Sequence, residues 1–218
     1  METAACSQGA VILEALIETI HTNATFLSEV DGAIGDGDHG INMDKGFLKT
    51  RVVLGDRQVQ LSEGLDTLGN ILINDIGGAM GPIYGTFFIE MASACQGCES
   101  INRADFGQML ERATHAIEEL GGAKVGDKTL LDTLIPANNA YLAAIQGDMD
   151  FKDALREMKA AAELGKESTR NLVARLGRAS RLGERSRGYL DAGATSCQLI
   201  LQAMADAIIN LLNEHRRE

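Results

Sequence analysis

The chain has 218 residues, is 45% hydrophobic and carries a formal net charge of −11. That length gives one large domain or two small ones an ample core, and the reading here is one domain over residues 1–218. The acidity excludes nucleic acid and anionic membrane as natural partners. No basic stretch leads into an apolar signal region and no run reads as membrane-spanning, so a cytoplasmic location is expected.

Aromatics make up 4% of the chain, prolines number two, and alternating β-branched runs are almost missing. The class expected is therefore all-α, with eight helical segments. Residues 9–29 place Ile12, Leu13, Leu16, Ile17, Ile20 and Phe26 near one helical face. The stretch 31–47, DGAIGDGDHGINMDKGF, then interrupts. It sets Asp31, Asp36 and Asp38 among four glycines, with His39 and Asn42 following and a helix running from about Asn42 to Leu54. Glycine lets the backbone turn the acids inward. Carboxylates so crowded repel unless a cation sits among them, and hard oxygen ligands favour Mg²⁺ or Ca²⁺ over zinc. The stretch matches G-x-G-x-x-G literally, but no strand precedes it and its acids would repel a bare pyrophosphate. The EF-hand pattern fails, with Ile41 and Phe47 at its glycine and glutamate positions. A plain acidic turn is the bland alternative.

Residues 61–76 predict a third helix, weakened by Gly64 and Gly69. GGAMGPIYGTFF, residues 77–88, is a second glycine turn with Pro82 suited to a helix's first turn. Its small residues permit either a ligand at the backbone or a close helix contact. Cys95 and Cys98 form CQGC. The other two cysteines are isolated and a thioredoxin-like setting is missing, so free thiols are expected. Residues 105–120 are amphipathic, with Phe106, Met109, Leu110, Ala113 and Ile117 on one face. In GGAKVGDKTLLD, residues 121–132, Asp127 is placed to cap the next helix. Lys124 and Lys128 offer charge to a phosphate, unless the segment is simply a capped turn. Pro136 should kink that helix or end its first turns.

A long helix is predicted over 151–176. Arg175, Arg178, Arg181, Arg185 and Arg187 then gather, either as phosphate-binding forks or as a solvated face. In DAGATS, residues 191–196, Asp191 or Thr195 stands at the start of a last helix that buries Leu199, Ile200, Met204, Ile208, Leu211 and Leu212. Acids for a cation, glycine turns at helix starts and an arginine cluster together suit a metal–phosphate ligand. Neither a Walker A nor a protein-kinase signature is present. His39 is a base or phosphate carrier on one reading, and a group that orients a ligand or carboxylate on the other.

GDGDHGINMDKGF, GGAMGPIYGTFF, GDKTLLDTLIPA and GRASRLGERSRGYLDAGATS, in that order, resemble the motifs of the nucleotide-binding L subunit of dihydroxyacetone kinase. The resemblance covers about residues 9–213. It implies an eight-helix antiparallel closed barrel with ADP or ATP and two Mg²⁺ ions in a funnel at one end. It further implies that Asp31, Asp36 and Asp38 are magnesium ligands and that His39, Gly40, Ile41 and Asn42 contact phosphates. Met80, Gly81, Gly121, Leu130, Arg178, Asp191, Ala192 and Gly193 would line the remaining site, with Arg178 as the stabiliser of developing charge. In that family a separate K subunit holds dihydroxyacetone covalently through a histidine. The phosphotransferase-system form recharges its bound ADP from a phosphohistidine M subunit, while the other form exchanges ATP. The chain departs from the family at Met80 (commonly serine), Ala192 (commonly proline), and Arg187 and Tyr189-Leu190 (commonly Ile and His-Gln). Those changes leave a kinase for another small ketose or tetrulose open. So is a nucleotide-sensing module that docks other proteins without turnover. A fatty-acid-kinase-type domain is disfavoured because that family carries extra domains on one chain.

Overall fold

The computed structural model describes residues 2–214. Its helices are α1 Gly9–Gly32, α2 His39–Leu54, α3 Leu61–Asp75, α4 Met80–Ala94, α5 Arg103–Gly121, α6 Leu131–Gln146, α7 Phe151–Ser168 and α8 Ala192–Glu214. Each helix packs on the next, and α8 returns to pack on α1, so the eight close into a ring. Sequential neighbours joined by short connections run antiparallel. The α1–α2, α3–α4, α5–α6 and α7–α8 connections therefore share one end of the ring. These are the four glycine-rich motifs. The connection holding Cys95 and Cys98 lies at the opposite end.

The ring is filled by one apolar face from each helix. On α1 this face is Ile12, Leu13, Leu16, Ile17, Ile20 and Leu27. Phe26 is exposed, contrary to expectation, because at 100° per residue Leu27 follows Ile20 on the inner face and Phe26 does not. Phe88 stands edge-on to Phe47 at 5.9 Å, and Phe106 to Tyr141 at 5.2 Å. On α8 Ile200, Met204, Ile208, Leu211 and Leu212 are buried, with Leu199 only partly so. By length and composition α8 could span a membrane, contrary to the expectation that no run would, but most of it is buried inside the fold.

The glycines inside helices have a packing reason. A Cβ on Gly69 would stand 2.8 Å from the Gly85 carbonyl oxygen, and one on Gly85 equally close to that of Gly69, so α3 and α4 cross with their backbones nearly touching. Burial thus outweighs the helix propensity that counted against Gly69. Pro136 stays within α6. Its missing N–H leaves the Asp132 carbonyl without its helical donor, and Gly165 of α7 packs directly on that carbonyl.

One further expectation is corrected. The helix predicted to Leu176 ends at Ser168, and residues 169–190 form short 3-10 turns at Thr169–Asn171 and Arg178–Ser186. Three glycines with positive φ, Gly177, Gly183 and Gly188, break any helix there. The fold also includes a two-stranded antiparallel sheet, β1 Thr3–Ala5 with β2 Ser100–Asn102, Thr3 opposite Asn102. It ties the chain's start to the α4–α5 connection. Three-residue strands carry too little alternation to be read from sequence.

Candidate functional site

The acidic turn is built by the end of α1. Helix α1 continues through Asp31, whose carbonyl accepts the N–H groups of Ile34 (3.1 Å) and Gly35 (2.5 Å). A Cβ at Gly35 would collide with the Asp31 carboxylate, so only glycine leaves that side chain its place. Gly37 takes φ +77°, which reverses the chain into α2. Asp38 occupies the cap position of α2, yet its carboxylate makes no capping bond. One carboxylate oxygen from each of Asp31, Asp36 and Asp38 lies within 4.8 Å of the other two. Three like charges this close are stable only beside positive charge. Arg178 supplies some, ion-paired to Asp36 and 3.8 Å from Asp38. The oxygens also form a hard donor set of the kind Mg²⁺ takes.

Next to the acids, the first turn of α2 presents backbone N–H groups. His39 N–H points at Asp31 Oδ2 at 3.4 Å. Gly40 and Ile41 follow in the same turn, where amides have no intrahelical acceptor and favour an anion. Asn42 is the next residue and is partly exposed. A Cβ on Gly40 would run into the Ala24 carbonyl oxygen, so this glycine sets how closely α2 lies on α1.

The His39 side chain is buried and faces away from bulk water. Its Nε2 is 2.7 Å from Ser196 Oγ, which is 2.6 Å from the Tyr84 hydroxyl, and Tyr84 also donates to the Gly193 carbonyl at 3.0 Å. Burial lowers the His39 pKa to about 4 against the opposing pull of Asp31. The imidazole is therefore neutral at physiological pH. Through its bond to Ser196 the imidazole fastens α2 to α4 and α8, and its partner is a hydroxyl, not a carboxylate. Tyr84 and Ser196 were not singled out from sequence. Both lie inside quoted motifs, but nothing in their spacing marks them as partners of His39.

The other motifs converge on the same end. Asp191 Oδ2 accepts the Ala194 N–H at 2.8 Å and caps α8, which starts at Ala192. Burial raises its pKa to about 6. Gly193 faces Leu130, whose Cβ would be 3.5 Å from an added Cβ. Met80 opens α4. Gly81 beside it is a close-contact glycine, since a Cβ there would strike the Ile76 and Leu72 carbonyls. Gly121 ends α5, and Gly122 turns the chain with φ +61°. Asp127 does not cap α6. Its carboxylate accepts the Lys124 N–H at 2.9 Å, while buried Asp132 accepts those of Gly126 (2.6 Å) and Thr129 (2.7 Å). Lys128 is buried and donates to carbonyls, so it offers no charge to a phosphate. The arginine cluster also divides. Arg175 pairs with Asp127 and Arg187 with Glu184, Arg181 and Arg185 are exposed, and Arg178 reaches the acids.

Residues 33–206 match the DAK2 domain. The chain belongs to the DAK2-domain family. This DAK2 chain is similar to the ADP-binding subunit DhaL of the PEP-dependent dihydroxyacetone kinase of Escherichia coli, 36% identical over 84% of this chain and 88% of the relative. It is 34% identical to the ADP-binding subunit DhaL of the PTS-dependent dihydroxyacetone kinase of Lactococcus lactis, over 88% of this chain and 92% of that one. An L-erythrulose kinase of Pectobacterium atrosepticum is 30% identical over 92% of this chain, which spans 34% of the relative. Among solved structures, the dihydroxyacetone kinase of C. freundii in complex with AMP-PNP and Mg²⁺ superposes with TM-score 0.66 at 23% identity, over 94% of this chain and 34% of that one. At that identity the likeness confirms the all-α architecture of the DAK2 fold.

Proposed function

We propose that this chain is the nucleotide-binding subunit of a dihydroxyacetone kinase, a single DhaL-type domain working in the cytoplasm with a separate substrate-binding K subunit. The observation that carries the reading is the meeting of Asp31, Asp36 and Asp38 with Arg178 beside the open first turn of α2. The printed functions of relatives matching most of the chain at 34–36% identity support it. The three acids would hold Mg²⁺, two ions on the family pattern. Such ions neutralise phosphate oxygens and orient them. His39, Gly40, Ile41 and Asn42 would face the phosphates. Met80, Gly81, Gly121, Leu130, Asp191, Ala192 and Gly193 would surround the rest of ADP or ATP.

Each residue then has a definite task. Asp31 both faces the cation position and accepts the His39 N–H, which locks the acidic turn to α2. The α2 amides hold phosphate oxygens without adding a titrating group. Arg178 pairs with Asp36 and so stands at the edge of the position the nucleotide's phosphates would take. With a divalent cation held by the three acids, its guanidinium would be free to bind those phosphates and to meet charge developing as the phosphoryl group leaves. Catalysis here is positioning and neutralisation, because the acceptor hydroxyl is brought by the partner.

Dihydroxyacetone is the preferred acceptor, since the relatives matched over 88% and 92% of their own length are named as subunits of dihydroxyacetone kinases. The erythrulose kinases match only through a third of their length. Recharging by a phosphohistidine M subunit is favoured over ATP exchange on the same ground. Reconstitution decides both. The chain, its K partner and a phosphorylated M-type protein should convert dihydroxyacetone to its phosphate with substoichiometric ADP. Turnover only with excess ATP would replace the donor assignment. Nucleotide-dependent docking without transfer would establish the sensor reading in place of the enzyme.

A further inference from the structure

Residues 171–190 carry Arg178 but have little apolar anchorage. Over this stretch only Ala174, Ser186 and Leu190 are buried, and three glycines with positive φ bend it. What shapes it is polar. The Gly188 N–H donates to the Arg170 carbonyl at 2.7 Å, Ala174 N–H to Ser186 Oγ at 2.9 Å, and Asp191 N–H to Thr169 Oγ1 at 3.1 Å. At the base sits Lys128, from a different connection. Its side chain is 1% exposed. Its ammonium donates to the carbonyls of Thr169 (2.6 Å), Tyr189 (2.5 Å) and, more weakly, Leu172 (3.4 Å).

An ammonium has three donors and no acceptor, and Lys128 aims all three at the two ends of one loop. Carbonyl dipoles converging on a point repel one another unless a cation lies between them. A buried cation is costly unless its donors are satisfied. Lys128 also holds φ +62°, a strained conformation for a residue with a side chain. Asp132 fixes that backbone by accepting the Gly126 and Thr129 N–H groups on either side. The α5–α6 connection is thus built to deliver one ammonium to one place.

The geometry points to Lys128 as a positioning residue that closes the base of the 169–190 loop and so sets Arg178 against the acidic cluster. The inference rests on the nucleotide reading for its consequence, but its geometric part stands alone. Lys128 acts through Arg178, so the two residues are coupled and their effects do not add.

The test is a double-mutant cycle on Mg²⁺–ADP affinity, read by titration calorimetry with the full chain, beside amide exchange over residues 169–191. Lys128→Met keeps the length and removes the charge. It should weaken Mg²⁺–ADP binding about tenfold and speed exchange at Ala174, Gly188 and Asp191 about tenfold or more. In an Arg178→Ala background, Lys128→Met should weaken binding no further. Additive losses, or unchanged exchange in the loop, would overturn the assignment. Should Lys128→Met not fold, Ser186→Ala opens the same loop at a neutral fastener and must give the same non-additivity. Additivity there would overturn it too. If the wild type binds no Mg²⁺–ADP, the functional reading falls instead, and loop exchange in the variant alone decides whether Lys128 holds it.

Discussion

Gly40→Ala tests whether the acidic turn is set by helix contact. A Cβ at Gly40 would lie inside the van der Waals envelope of the Ala24 carbonyl oxygen and 2.7 Å from Ser28 Oγ. The first obstacle is backbone in the middle of α1, which cannot rotate away. So α2 must lift off α1, straining the turn that holds Asp36 and Asp38. Overpacking of this kind costs about 1–3 kcal/mol, and the helix propensity of alanine returns at most ~1 kcal/mol. The net expected loss is about 1–2 kcal/mol, or roughly 2–8 °C in Tm for a chain of this size. Gly77→Ala is the control, since Gly77 has nothing within 4 Å of an added Cβ and no positive φ. Its Tm should stay within about 2 °C of wild type, as for an ordinary surface change. Thermal unfolding of both variants reads the difference. A Gly40→Ala protein as stable as wild type would refute the claim that contact with α1 fixes the start of α2.

Two buried groups give the stability an opposed pH dependence. The His39 pKa is lowered to about 4, so its contribution is full above its ordinary 6.5 and is lost as pH falls towards 4, on the order of 3 kcal/mol. The Asp191 pKa is raised from 3.8 to about 6, so its contribution is full below 3.8 and is lost as pH rises through 6. The two largely offset each other between pH 4 and 6. His39→Gln should therefore leave stability rising as pH falls across that window. Denaturant titrations at several pH values check this, and a variant that still loses stability on acidification would count against it. Tyr84→Phe removes the hydroxyl shared with Ser196 and the Gly193 carbonyl and should cost about 1–2 kcal/mol. It should also weaken Mg²⁺–ADP binding by displacing His39. Equal loss of stability with unaltered affinity would detach that network from the site.

The helices and their order were legible because each inner face repeats at helical spacing, as Phe106, Met109, Leu110, Ala113 and Ile117 do on α5. The acidic site was legible because Asp31, Asp36 and Asp38 are local in sequence and glycine-spaced. Its meeting with Arg178, Asp191 and Leu130 was expected only through the family resemblance, since it depends on ring closure by α1 and α8, which no local pattern encodes. Lys128 was misread for a related reason. A lysine beside a glycine turn looks available to phosphate until the partner carbonyls, more than forty positions away at Thr169 and Leu172, are in place. Gly40 and Gly69 read as loop or helix-weakening residues and the structure makes them contact points, while Gly81 takes the close helix contact that its motif left open.

The proposed function requires a cation held by the acidic turn. Titration of ADP into wild type and Asp36→Asn, each with Mg²⁺ and with EDTA, tests that claim most directly. Wild type should bind ADP tightly with Mg²⁺ and lose that affinity in EDTA, while Asp36→Asn should bind weakly in both. Equal affinities in all four titrations would contradict it.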